Sequence, residues 1–245
     1  MNNWIAFFAI FLKDIKTYYL KPPNISWGII FPFAWAGMFF IRTGGNMMDV
    51  MSILPGVMSL SILFGTTSML SVTITFEKKS RTFDRILLSP IPLTLIMFAK
   101  TSGAILFGIV NAFVPFFVAG FFVDLSQVHL SIVIAAIILI SIASTFMGLF
   151  IATSVSEVFE AQTFSNFFRF PMIFLCGLFF PISKLPSLVR PLSYIMPLTY
   201  GVDLLHGAIN HTQILPYTFD FAVLFLFCTV LFYISLYNIK KRWVL

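Results

Sequence analysis

The chain has 245 residues, 59% of them hydrophobic and only 10% charged, with a mean hydropathy of +0.99 and a formal net charge of +6. A soluble globular domain carries about 25% charged residues, so this composition excludes an ordinary water-soluble fold and predicts a chain whose solvent is lipid. The basic excess sits in short patches beside apolar runs, as positive-inside sorting requires, and no nucleic-acid partner is expected.

In chain order, the opening run MNNWIAFFAIFLKD has no basic residue before its apolar stretch and no small-residue cleavage site, so no cleaved signal peptide is expected and the chain should start near Met1. Residues 4–19 mix Phe, Ile and Leu with Lys13, Asp14, Lys16 and the Tyr18-Tyr19 pair and stop at Pro22-Pro23. That pattern predicts an amphipathic helix lying on the inner membrane face, within residues 1–24. Six segments then read as transmembrane helices, at 25–41, 52–76, 93–123, 129–154, 164–182 and 218–237, because a bilayer core of about 30 Å needs roughly 20 mostly apolar residues. Pro32 and Pro171 predict kinks or partial unwinding in the first and fifth, and the third is longer than one span needs, so it is expected to open with an interfacial turn before Lys100. Residues 183–216 form an outer loop with short re-entrant helices: Leu185, Leu188, Val189, Leu192, Ile195 and Met196 keep a helical spacing, and Leu198, Val202, Leu205 and Ile209 repeat it after Pro197. The expected fold is all-α and polytopic, one membrane domain over 1–245.

With the N-terminus inside, the cytoplasmic side holds Lys13, Lys16, Lys21, Lys78, Lys79, Arg81, Arg85, Lys100, Lys240, Lys241 and Arg242, against Arg42, Lys184 and Arg190 outside. Arg169 is left over near the inner end of the fifth helix. Both termini are expected to be cytoplasmic. Cys176 and Cys228 lie inside apolar runs with no paired Cys or His pattern, so they read as small buried hydrophobes, and neither a disulfide nor a metal site is expected.

The densest charge lies between the second and third spans, in TFEKKSRTFDRILLSPIP at 75–92. On a helical wheel Phe76, Phe83, Ile86 and Leu87 share one arc, while Glu77, Lys78, Arg81, Asp84, Arg85 and Ser89 share the opposite one. The spacing permits Glu77 to pair with Arg81 and Arg81 with Asp84, and Ser89-Pro90 and Pro92 end the helix. By pattern alone two readings of 77–92 stand side by side, a loop whose Lys and Arg fix topology and a docking surface for a soluble partner, although topology does not ask for acids among the bases or for a Ser-Pro stop.

This stretch resembles the cytoplasmic segment of the ABC-2 family of ABC transporter permeases, where an acidic residue leads to a Gly-Thr pair, a second acidic residue, a Leu-Leu pair and a Ser/Thr-Pro. The matching positions are Glu77, Thr82, Asp84, Leu87-Leu88 and Ser89-Pro90; Arg81 stands where the family has Gly. Toward the C-terminus Pro171, Gly177, Phe180-Pro181, Leu185-Pro186, Pro197 to Tyr200 and Asp203 resemble the family's second signature. The resemblance implies a permease half that dimerises, as homodimer or heterodimer, and pairs with two ATP-binding subunits to export a substrate. It further implies that the segment at Glu77, Lys78, Arg81, Thr82, Asp84 and Arg85 couples to the ATPase, buttressed by the N-terminal helix, with Glu157 and Glu160 as a smaller second contact. A central path would run along the second and fifth helices past Phe64, Thr67, Met172, Phe174 and Leu175. The chain has no G-x-x-x-x-G-K-[ST], so no cofactor is expected in it, and ATP and Mg2+ belong to the partner.

Two rival readings are weaker. An ion-coupled transporter places ionisable residues near the bilayer midplane, whereas Arg169 and Lys100 fall toward inner ends, and Asn111 reads as a contact between helices. An intramembrane enzyme would need H-E-x-x-H or G-x-S-x-G, and His129, His206 and His211 fit neither.

Overall fold

Residues 3–42 and 47–241 are described by a computed structural model; Met1 and Arg242 and the side chain of Arg42, invoked above, lie outside that description. Every regular element among the described residues is helical. Helix α1 (Asn3–Asp14) buries Ala6, Ile10 and Asp14, one residue per turn, against the bundle and leaves Trp4, Ile5, Phe8 and Leu12 outward, as a helix lying in an apolar interface should. A wide π turn, Ile15–Tyr19, leads into α2 (Pro22–Ile25), a second π turn at Ser26–Ile30 and α3 (Phe31–Arg42), so the backbone is helical without a break over 22–42. The unwinding expected at Pro32 takes the form of that second wide turn, just ahead of the proline.

Helix α4 (Met47–Lys79) is the central element, packed on α3, on α6 (Leu93–Ala119), α7 (Leu130–Ser154), α8 (Val158–Leu175) and α10 (Pro197–Asn210). Close approach is bought with glycine: a Cβ on Gly148 of α7 would strike the Thr67 carbonyl, and one on Gly56 the Leu178 carbonyl. Asn111 of α6 sits where Gly28 and Gly65 leave room for its amide, so it packs helices together as expected. Between α4 and α6 lies the short α5 (Thr82–Leu87); α9 (Arg190–Ile195) precedes α10, and α11 (Tyr217–Ile239) closes the bundle against α7 and α10.

Four of the described helices are long and apolar enough to cross a membrane, the α4 stretch Val50–Lys79 and α6, α7 and α11. The helices α6 and α8 depart from expectation. Helix α6 is continuous from Leu93 and ends at Ala119, with no turn before Lys100. Helix α8 begins at Val158 and ends at Leu175, six residues earlier than expected at its start, because Glu157 and Glu160 form a capping box that starts a helix inside an apparently polar loop. Arg169 therefore stands eleven residues after the start of α8 and six before its end, and not near the start. The spaced apolar residues of α10, Leu198, Val202, Leu205 and Ile209, are all buried.

Candidate functional site

The charged stretch is not one helix. Helix α4 stops at Lys79, Ser80 and Arg81 make a turn, and α5 starts at Thr82. The Ser80 amide donates to the Phe76 carbonyl at 2.9 Å and the Arg81 amide to the Lys78 carbonyl at 3.1 Å, which ends α4 in a left-handed residue, Arg81 at φ 56°, ψ 12°. Glycine is the ordinary choice at such a helix end because a Cβ costs free energy there, which accounts for the Gly that the resemblance places at this position. Ser89 donates to the Ile86 carbonyl and Pro92 caps α6, so Ser-Pro-Ile-Pro is the exit of the element.

The turn overturns the helical-wheel assignment of Glu77. Its side chain is fully buried, not on a solvated face, since the turn at Arg81 breaks the wheel that placed Glu77 beside Arg81 and Asp84. Glu77 pairs instead with Lys100 of α6 and Lys13 of α1, and Lys100 also reaches Asp14 at 3.1 Å. Lys13 and Asp14 lie 3.1 Å apart. Two bases and two acids thus close a neutral cluster that joins α1, α4 and α6, with Lys100 and Glu77 at 0% exposure. Burial disfavours the charge on Lys13, but its hydrogen bond to Glu77 and the attraction of both acids outweigh this, and its pKa lies above the ordinary 10.5. Phe83 of α5 is fully buried over this cluster, 6.0 Å from the Lys100 ammonium. It shares one apolar core with Ile10, Tyr19, Leu70, Ile74 and Met97. Burying a Phe contributes about 1.5–3 kcal/mol, so α5 is pinned from behind.

What remains outward is a compact charged surface. Arg81, Asp84 and Arg85 are exposed, and Lys78 and Thr82 half-buried. Across from them Lys79 pairs with Glu157, while the Glu160 carboxylate accepts from the backbone N–H of Ser156 at 3.0 Å and of Glu157 at 3.2 Å. The structure therefore brings together the two stretches that sequence reading held apart, 77–92 and Glu157–Glu160. Sequence reading missed the roles of Lys13, Asp14 and Lys100, counted above only as topology charges or polar positions.

Of the path residues, Phe64 and Met172 are buried in the main core. Thr67 donates to the Ser144 carbonyl of α7 at 3.2 Å, and Phe174 is 53% exposed on the far face of α8. The second signature builds the opposite end of the bundle. Gly177 takes φ 80°, a conformation that favours glycine, Tyr200 donates to the Tyr194 carbonyl at 2.7 Å, and the buried Asp203 accepts from the amides of Ile214 and Leu215 at 2.9 and 2.8 Å. Among the described residues no group of His, Cys, Asp or Glu is arranged to hold a metal ion.

These features define an all-helical integral membrane protein with two built ends, one charged and one rich in Pro and Gly. The chain belongs to the ABC-2 type transporter family, whose model matches residues 5–210. It is 22% identical over 248 residues to an inner membrane transport permease, YadH, of Escherichia coli (strain K12), covering 98% of this chain and 96% of that one, and equally to the protein of the same name from Shigella flexneri. A shorter match, 28% over 79 residues and 32% of this chain and 30% of the relative, is to nodulation protein J of Sinorhizobium fredii (strain NBRC 101917 / NGR234). Membership makes the chain a transmembrane permease subunit of an ABC transporter, working with a separate ATP-binding subunit.

Proposed function

We propose that this permease is half of the membrane part of an exporter in a prokaryotic inner membrane, paired with a second permease chain and driven by two ATP-binding subunits that carry the ATP and Mg2+. The inner-membrane name of the relative that matches nearly the whole chain supports the location. The domain spans 1–245 and crosses six times, through the helical run at 22–42 and through α4, α6, α7, α8 and α11, with α9 and α10 re-entrant from outside and both termini in the cytoplasm. Its substrate is amphipathic, in the lipid-like, drug-like or glycan range.

The observation that carries this reading is the anchored turn at 80–89: charged outside, and fixed inside by Phe83 and the Glu77–Lys100 pair. A docking element must be exposed yet unable to swing freely, or force from the partner is lost in local motion. Lys78, Arg81, Thr82, Asp84 and Arg85 form the contact, Glu157 and Glu160 extend it, and Glu77 positions it from within. Closure of the ATPase pulls this surface, and the permease halves rock to open a path past Phe64 and Met172, with Thr67, Phe174 and Leu175 on neighbouring faces.

The test is affinity purification of the full chain from its native membrane. A stoichiometric companion with a phosphate-binding loop is expected, and the triple variant Lys78→Glu, Arg81→Glu, Arg85→Glu should retain about tenfold less of it while inserting normally. A triple variant that keeps its full ATPase complement sinks the docking role.

A further inference from the structure

The proposed path contains one charge that has no opposite. Arg169 is 2% exposed, eleven residues from the start of α8, and its partner Ser68 is eleven residues from the end of α4. At 1.5 Å per residue both lie about 16 Å along their helices from the ends that carry Glu157 and Lys79, deep inside the helical bundle. The guanidinium stacks on the Phe64 ring at 4.0 Å, donates to the Ser68 hydroxyl and reaches Asn166 Oδ1 at 3.5 Å. Its Nε–H has no acceptor, and no carboxylate among the described residues lies within ion-pair distance. Beside it the Ser71 and Ser165 hydroxyls meet at 2.9 Å. The α4–α8 seam thus carries a full positive charge, an unused N–H and neutral hydroxyls, with no negative charge.

Charged groups at this depth are costly and mark substrate or ion pathways. Arginine does not give up its proton in proteins, so this one is not a proton carrier; its planar fork of donors suits carboxylate and phosphate groups. The same two helices lead to a cavity of about 710 Å³ walled by Ser52 and Ile53 of α4 and by Cys176 and Gly177 just past α8, which a second cation, Arg190, and Asp203 also line. The Asp203 carboxylate is already taken up by the amides of Ile214 and Leu215.

We propose that Arg169 receives the anionic group of the molecule this permease moves, so that the substrate is an amphipathic anion whose head passes along the α4–α8 seam when the two helices part. This rests on the permease reading above and narrows its substrate class.

The full chain with its partner, in phosphatidylcholine nanodiscs, would be photolabelled with diazirine-bearing dodecyl phosphate or dodecyltrimethylammonium, and labelled peptides from 64–71 and 165–175 counted by mass spectrometry. At least tenfold more labelling by the phosphate is expected. Arg169→Gln should abolish that preference and Arg169→Lys should keep part of it. Equal labelling by the two probes in the unaltered chain overturns the proposal, as does an unchanged preference in Arg169→Gln. Should Arg169→Gln fail to fold, the unaltered chain's preference and Arg169→Lys still decide. Adding phosphatidylglycerol to the discs separates sources: displacement of the phosphate probe marks a resident membrane lipid at Arg169, and persistence marks a transported solute, both being amphipathic anions. The ATP-binding companion is scored in the same samples. Its presence without charge preference refutes this inference alone, and its absence refutes the permease reading.

Discussion

Two of the sites where charge is buried among the described residues are opposites. At the end of the bundle that carries the charged turn, Lys13, Asp14, Glu77 and Lys100 sum to zero and satisfy one another. Within α8 Arg169 has a hydroxyl, an amide and a ring, but no carboxylate among the described residues. A closed cluster is architecture: each group fixes the place of the others, and removing one leaves an uncompensated charge. A lone charge fixes nothing else and is free to answer to something that comes and goes.

The largest expected effect tests the closed side. Lys100→Met leaves Asp14 and Glu77 together in a buried site, at a cost of about 3–5 kcal/mol, and should remove most of the monodisperse protein seen by size-exclusion chromatography in mild detergent. The double variant Glu77→Gln, Lys100→Met should recover much of it; a double variant no better than the single would show that the cluster is not a paired unit. Next, Arg169→Met should lower thermal stability clearly less than Lys100→Met does, because no acid is orphaned. A loss as large as that of Lys100→Met would erase the contrast. Third, Arg81→Gly should stabilise the turn by about 1 kcal/mol, since it removes the left-handed penalty, visible as slower amide exchange at 80–84. The smallest effect is that of pH. Lys13 has a raised pKa, so its contribution is complete below the ordinary lysine value of 10.5 and fades only as pH climbs through the higher folded value. The difference in unfolding midpoint between the parent and Lys13→Met should therefore be the same at pH 7 and pH 9.

Local patterns made much of this legible in the sequence. Apolar length located α4, α6, α7 and α11, and the spacing of Leu198, Val202, Leu205 and Ile209 marked the buried side of α10. The charged stretch was legible as a surface but not as a shape. A helical wheel assumes one unbroken screw, and a single left-handed residue, Arg81, ends it. Glu77 was misplaced for that reason, and because its partners lie 23 and 64 residues away, a distance no periodicity encodes. Arg169 looked peripheral because Glu157 to Glu160 reads as loop; an acidic residue three positions before a Glu was the available sign of a capped helix start.

Helix α4 runs from Pro55 to Lys79 without another proline, about 37 Å at 1.5 Å per residue. It touches the neutral cluster through Glu77, the lone cation through Ser68 and, beyond Pro55, the cavity at the opposite end of the bundle through Ser52. Such an element acts as a lever. A five-degree tilt about Pro55 displaces Ser68 by about 1.7 Å and Lys79 by about 3.1 Å, with the arm lengths set by the helical rise. Ser68, the partner of Arg169, and Lys79, at the charged turn, lie about 20 Å and 36 Å along that rod from Pro55, so a tilt hinged at the proline moves both at once and no relay of side chains is needed to carry it.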